Sequence, residues 1–147
     1  MFMRSIQSLC LIQSILMKTD LSNATFIIPI RIESDDRLRN VVTSIAFLVE
    51  NFDTNIIVKE VDKESVFQTE VLPIFEEILE VDLWKNFHHI FERSEEPLFH
   101  RQRVLNEMIA ECETDIVVNY DCDVILPMKS YELAYNGITE GIYDVVY

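Results

Sequence analysis

The sequence predicts an α/β fold with a mainly parallel sheet flanked by helices. Short segments rich in β-branched residues alternate with longer segments whose apolar residues recur at helical spacing, which is typical of successive β-α units. The chain has 147 residues, which fits one domain, and 49% of them are hydrophobic, which is enough for a buried core. With 2 glycines and 4 prolines, there is little room for flexible linkers or glycine-built phosphate loops.

The first β-α unit sets the pattern for the others. Residues 24–30 (ATFIIPI) predict a buried strand closed by Pro29, and Ser34 is placed to cap the helix that follows. That helix extends to about Glu50, because its apolar residues return every three or four positions. The later elements are predicted as strands over 55–61, 87–91 and 115–120, and as helices from about Pro73, over 97–112 and over 130–135.

The two ends of the chain carry separate expectations. Residues 1–22 are predicted as an N-terminal helical extension, with a signal or anchor as the alternative, and residues 23–147 as the domain itself. The last apolar run, 142–147, has the pattern of a strand and stops at the final residue. Because termini usually lie outside core elements, we expect a domain that is incomplete at its C-terminus, with a C-terminal edge strand as the alternative.

Composition narrows the class of partner. The formal net charge of −14 disfavours nucleic acids and anionic membranes, because binding to either depends on clusters of Lys and Arg. An acidic protein that binds a phosphate ester needs a cation between the two, which makes a divalent metal a natural cofactor. The 3 cysteines are widely spaced and form no C-x-x-C pair, which favours free thiols and a cytoplasmic location. No segment after residue 22 has the pattern of a transmembrane helix.

A pair of aspartates follows the strand predicted at 115–120. Asp121 and Asp123 flank Cys122, and in extended backbone alternate side chains point the same way, so the two carboxylates converge while the thiol faces the core. Carboxylate oxygens suit Mn²⁺ or Mg²⁺, whose coordination is commonly completed by substrate phosphates. Ligands of open α/β sheets bind beyond the carboxyl ends of the strands, which is where this pair is predicted. The alternative is a solvated turn in an acidic protein.

Three segments stand in the order and approximate spacing of a known family. They are residues 27–31 (IIPIR), 99–106 (FHRQRVLN) and 121–128 (DCDVILPM). These segments resemble motifs of the β-1,4-galactosyltransferase-like branch of the GT-A glycosyltransferases, and the first and last also resemble the broader family 2 enzymes. The resemblance covers about residues 25–128. It implies a Rossmann-like GT-A fold that binds a nucleoside-diphosphate sugar.

The resemblance implies roles for particular residues. Pro29 and Arg31 would line the nucleotide pocket at the end of the first strand, and Arg101 would reach the nucleotide or its phosphates. Asp123 would ligate Mn²⁺ or Mg²⁺, and Asp121 would lie near both the metal and the ribose. The forked donors of a guanidinium match phosphate oxygens, which supports the two arginines on chemical grounds.

Several of these assignments have a simpler alternative. Arg31 could begin a loop and pair with the aspartates at 35–36, and Arg101 could be an ordinary solvated helix residue. Glu60 stands where family 2 enzymes often place a base-contacting acid, but it also lies in a mixed run of charges that favours a solvated turn. Glu33 is the weakest candidate for the nucleotide site.

The implied reaction is transfer of a sugar from a nucleoside-diphosphate sugar, with a UDP-sugar favoured, to an acceptor hydroxyl on a glycan, protein or lipid. In the resembled enzymes the catalytic base, a further metal ligand and the acceptor loop follow the segment that matches 121–128. We therefore expect the base to lie beyond Tyr147 and assign no catalytic residue. The alternatives are a donor- or metal-binding fragment without turnover, a non-catalytic acidic interaction domain and, less favoured, a nucleotidyltransferase.

Overall fold

Four strands and four helices make up the computed structural model, which describes residues 18–80, 82 and 85–147. The strands are β1 (Thr19–Ile30), β2 (Phe52–Asp62), β3 (Phe87–Arg93) and β4 (Ile116–Asn119). The helices are α1 (Asp35–Asn51), α2 (Leu72–Ile78), α3 (Arg101–Ala110) and α4 (Met128–Thr139), and a π-helical turn (Phe67–Val71) precedes α2. All strand pairs are parallel, in the order β3-β2-β1-β4. The predicted α/β class is confirmed, and the strand order is compatible with a Rossmann-like fold.

Helices cover both faces of the sheet. Along β1, alternate side chains face opposite ways, so Phe26 and Ile28 enter one core while Ile27 enters the other. The larger core contains side chains of α1, α2 and α4, and the smaller core contains side chains of α3. The chain moves outward from β1 to β2 to β3 and then crosses back to β4, on the other side of β1. Because such crossovers are right-handed, α3, which makes this return connection, lies on the face opposite to α1. The space beyond the carboxyl ends of β1 and β4 is therefore the topological switch point of the sheet.

The first helix begins where the sequence predicts. Ser34 Oγ accepts a hydrogen bond from Arg37 N at 3.2 Å, and acidic residues occupy the first turn, where they face the positive end of the helix dipole. Val41, Ile45 and Leu48 recur at helical spacing and are buried on the face of the helix that enters the larger core. Because α1 follows β1 directly, its N-terminus lies at the carboxyl edge of the sheet.

The third helix begins at Arg101, so its predicted start at Pro97 is wrong. Arg31, just after β1, donates hydrogen bonds to the carbonyl oxygens of Pro97 at 3.0 Å and of Glu96 at 3.1 Å. In a helix those oxygens would accept bonds from amides one turn later. The guanidinium therefore holds the residues before α3 in an irregular conformation.

The last residues, 142–147, are irregular, so the strand predicted there is wrong. Helix α4 ends in a Schellman motif, in which Ile142 N donates to Gly137 O at 2.9 Å and Gly141 adopts a φ of 70°. Tyr143 then packs on Gly137, where an added Cβ would lie 2.7 Å from Tyr143 Cδ2. The run has the composition of a strand, but within the described chain no strand pairs with it, and a strand needs a ladder of backbone hydrogen bonds.

The helical extension predicted over 1–22 falls mainly on residues 1–17, which lie outside the described residues. Residues 19–22, which it also covered, are instead the start of β1. Thr19 and Asp20 pair with β2, and the register shifts before Thr25. Among the described residues, the helices lack the length and apolar character needed to cross a membrane.

Candidate functional site

The three segments that carry the family resemblance meet at the carboxyl ends of β1 and β4. The Cζ atom of Arg31 lies 5.6 Å from the ring centroid of Phe99, a cation–π distance. Arg101 donates to Asp121 Oδ1 at 2.5 Å and to Asn119 Oδ1 at 3.1 Å. Each segment therefore touches the next at the topological switch point of the sheet.

Arg31 is held by the backbone around it. Its side chain is 7% exposed, and Nε donates to Val61 O at 2.8 Å, in addition to the bonds from its terminal nitrogens to Glu96 and Pro97. The alternative ion pair with the aspartates at 35–36 does not form within the described chain. Arg31 thus joins the ends of β1 and β2 to the loop before α3 and fixes the shape of this edge.

Pro29 lies inside β1, at a position where a missing N–H does no harm. Tyr120 N donates to Ile27 O at 3.1 Å, and the pairing between β4 and β1 ends there. The backbone nitrogen of Pro29 faces the same side as that carbonyl, where no further acceptor follows. On its other side β1 continues in register with β2 to Ile30, so Pro29 ends the pairing with β4 rather than the strand.

The two weaker acidic candidates have opposite environments. Glu33 is exposed in the loop between β1 and α1. Glu60 is 0% exposed in β2, so the solvated turn predicted around it is wrong. Its Oε2 accepts a hydrogen bond from Ser65 Oγ at 2.5 Å, and its Oε1 accepts one from Phe67 N at 3.1 Å. His89 Nε2 lies 3.4 Å from Oε2, without the alignment of a hydrogen bond.

The carboxylate of Glu60 is a structural ion in this arrangement. Burial raises its pKa, but the contacts with His89, Ser65 and the Phe67 amide outweigh burial and leave the pKa below its ordinary value. Both oxygens are occupied by neighbouring groups of the protein. The strand pattern contained a signal for this burial, because Glu60 shares a face of β2 with the buried Val58.

Asp121, Cys122 and Asp123 form a turn, so the extended backbone predicted for them is wrong. Val124 N donates to Asp121 O at 3.3 Å, which closes a β-turn as soon as the ladder between β4 and β1 has ended. Both aspartates are nevertheless exposed, and Cys122 is 6% exposed in the larger core. The predicted burial of Cys122 in the core is confirmed, and the convergence of the two carboxylates stays a prediction.

The donors of this turn suit a hard divalent cation. Asp123 makes no side-chain hydrogen bond or ion pair with a described residue, and Asp121 shares its carboxylate with Arg101. Among the described residues, no three His, Cys, Asp or Glu side chains converge as a metal site. Two carboxylates are what this turn offers, and Mn²⁺ or Mg²⁺ commonly completes its coordination with phosphate oxygens and water.

Two hydrogen bonds from the larger core hold the turn and the loop after it. Ser44 Oγ of α1 lies 2.9 Å from Cys122 O and 2.6 Å from Asn40 O, so its single proton is shared between the two carbonyl oxygens. Tyr131 Oη of α4 accepts from Leu126 N at 3.0 Å and lies 3.1 Å from Tyr120 Oη. Burial, reinforced by Tyr131, raises the pKa of Tyr120, so the Tyr120 hydroxyl stays neutral. Neither support was predicted from the sequence, although Ser44 stands out as a polar residue on the apolar stripe of α1.

A network of charges docks α3 on the sheet and so positions Arg101. Lys59 of β2 has a side chain that is 13% exposed, and its Nζ lies 2.5 Å from Glu107 and 3.1 Å from Glu92. Arg103 contacts the same two carboxylates at 2.7 Å. Shared, partly buried pairs of this kind restrict a helix more than isolated surface pairs do.

Removal of the Tyr131 hydroxyl tests the support for the loop. We expect Tyr131→Phe to speed hydrogen exchange at the Leu126 amide by about fivefold, since one hydrogen bond contributes about 1 kcal/mol. The matched control is Tyr135→Phe, because the Tyr135 hydroxyl accepts a hydrogen bond from Asn23 N at 3.4 Å, away from the carboxyl ends of the strands. Equal effects of the two variants on Leu126, measured by NMR, would contradict the local role of Tyr131.

Comparisons with known proteins identify no family for this chain. No protein-family model matches it, and no curated protein gives a significant match. The geometry of the carboxyl edge and the three resembling segments are therefore the basis for assigning a function.

Proposed function

We propose that this domain is the donor-binding part of a GT-A-type glycosyltransferase that takes a nucleoside-diphosphate sugar, with a UDP-sugar favoured, together with Mn²⁺ or Mg²⁺. The observation that carries the proposal is the contact among three separate segments, Arg31 against Phe99 and Arg101 with Asp121. All three segments lie at the carboxyl edge of the sheet, where open α/β sheets bind ligands, which supports the proposal.

The two exposed aspartates hold the cation in this proposal. Asp123 binds it through a carboxylate that pairs with no described residue, and Asp121 is the second ligand. The cation would neutralise the negative charge that develops on the leaving diphosphate. Arg101 has a side chain that is 41% exposed, so it can turn towards a phosphate once Asp121 binds the cation.

The proposed reaction is transfer to an acceptor hydroxyl. The bond between the anomeric carbon and the diphosphate oxygen breaks, and a bond forms from the acceptor oxygen to that carbon. The acceptor proton passes to a base, and the nucleoside diphosphate leaves with the bonding electrons. The residues described above serve donor binding and the departure of the diphosphate.

Asp123 provides the decisive test. We expect calorimetric titration to show UDP binding to the wild type only with Mn²⁺, and Asp123→Asn to weaken that binding by at least about tenfold, because it removes one of two charged ligands. Asp53→Asn is the matched control, since it makes the same change at the amino end of β2. Equal UDP affinity with and without metal, or no affinity in a folded sample, would refute the proposal.

The alternatives predict different results in the same experiment. Metal-dependent UDP binding without release of UDP from a UDP-sugar would favour a donor-binding role without turnover. An acidic interaction domain would bind neither Mn²⁺ nor UDP. A nucleotidyltransferase would prefer UTP to UDP, since it acts on a triphosphate.

A further inference from the structure

Helix α1 presents one arginine towards the turn that carries the two aspartates. Arg37 precedes Ser44 by seven positions, about two helical turns, so the two side chains share a face of α1. Ser44 Oγ reaches Cys122 O at 2.9 Å, which fixes that face against the turn. Arg37 lies nearer the start of the helix, and therefore further towards the carboxyl edge of the sheet.

The other arginines of the described chain are already engaged. Arg31 donates to backbone carbonyls, and Arg101 pairs with Asp121. The remaining pairs are Arg39 with Asp36, Arg93 with Glu95, and Arg103 with Glu92 and Glu107. Among the described arginines, Arg37 alone has a side chain without a hydrogen bond or ion pair to a described residue.

This isolation is costly because Arg37 is partly buried. A guanidinium that loses part of its hydration without gaining a partner is destabilising, and an anion with oxygen acceptors offsets the loss. The exposed aspartates of the turn would repel a free anion, but a cation bound to them would remove that repulsion. The position therefore suits a phosphate ligand that arrives together with a divalent metal.

We propose that Arg37 binds the diphosphate of the donor, so that the phosphate charge is shared between Arg37 and the cation held by the aspartates. This inference rests on the function proposed above and adds a residue that the sequence did not indicate. It also separates two roles, because Arg31 shapes the edge and Arg37 contacts the ligand.

Two charge-removing variants of the same helix test this role. We expect Arg37→Gln to weaken the binding of UDP and of inorganic pyrophosphate, each titrated with Mn²⁺, by about tenfold or more, because a charge-assisted hydrogen bond is lost. Binding of uridine should not change. Arg39→Gln is the matched control, since the Arg39 side chain is 73% exposed and pairs with Asp36, and it should alter none of the three affinities.

The outcomes separate this inference from the proposed function. If wild type binds UDP with Mn²⁺ and Arg37→Gln does so equally well, Arg37 has no phosphate role and the proposed function stands. If wild type binds pyrophosphate as tightly as UDP, and Arg37→Gln loses this binding while Arg39→Gln keeps it, Arg37 belongs to a general anion site. In that case the proposed nucleotide-sugar function fails. If a folded wild type binds neither anion, both are overturned. Arg37→Lys, which keeps the charge but not the fork, should give an intermediate affinity and serves if the glutamine variant does not fold.

Discussion

Replacing Arg31 by lysine is expected to lower the free energy of unfolding by about 3 kcal/mol, although the charge is retained. The guanidinium donates to carbonyl oxygens of Val61, Glu96 and Pro97 from three different nitrogens. A single ammonium cannot reach all of these acceptors, and each buried acceptor left without a donor costs about 1–3 kcal/mol. Urea denaturation of the two proteins measures the difference.

The control for this change is Arg93→Lys. Arg93 has a side chain that is 74% exposed and lies 3.7 Å from Glu95, so its replacement should alter stability by less than about 0.5 kcal/mol. The Arg31 variant should also speed hydrogen exchange over residues 94–100, because those residues lose their anchor. Equal stability of the two variants would show that the carbonyl bonds of Arg31 contribute little.

Glu60→Ala should be comparably severe, with a loss of about 3–5 kcal/mol, because it leaves buried polar groups without their partner. The Phe67 amide and the Ser65 hydroxyl would lose an acceptor, and His89 would lose the neighbouring charge. Glu64→Gln is the surface control, since Glu64 is exposed in the same stretch of chain. If Glu60→Ala lowers the free energy of unfolding no more than the control does, Glu60 is not a structural ion and could bind a ligand.

The same carboxylate predicts how stability depends on pH. Because the pKa of Glu60 is lowered in the folded state, its ionised form adds stability above the ordinary value of 4.5, and this contribution disappears as the pH falls through the lowered pKa. The stability difference between wild type and Glu60→Gln should therefore be constant near neutral pH and narrow under acid conditions. Urea unfolding over a pH series measures it, and a gap that does not change with pH would contradict the assignment.

Composition and periodicity predicted the order of the strands and α-helices between residues 24 and 139, but not the π-helical turn at Phe67–Val71. The errors occur where a distant contact decides the local conformation. The start of α3 is set by Arg31, which lies far earlier in the chain. Residues 142–147 have the composition of a strand but gain no partner within the described chain.

The candidate site was predictable in its location and less so in its contacts. The aspartate pair could be placed because it follows a strand. The resemblance of the three segments to one family predicted that Arg31 and Arg101 lie near that pair. The run of charged residues around Glu60 predicted a solvated turn, whereas the alternation of side chains along β2 places Glu60 in the core. The partners of Tyr131 depend on how its helix packs on the sheet, which spacing along the chain does not reveal.

The place of β4 in the sheet affects the order in which the domain can fold. β4 pairs with β1, and Asn23 bonds with Asp115 across 92 residues. Closing so long a loop costs more chain entropy than joining β1 to β2, so the unit formed by β1, α1 and β2 can assemble before β4 arrives. In that order of assembly, the arginine of α1 is in place before the aspartates that follow β4. A ligand that bridges them would favour the last docking step through its own binding energy.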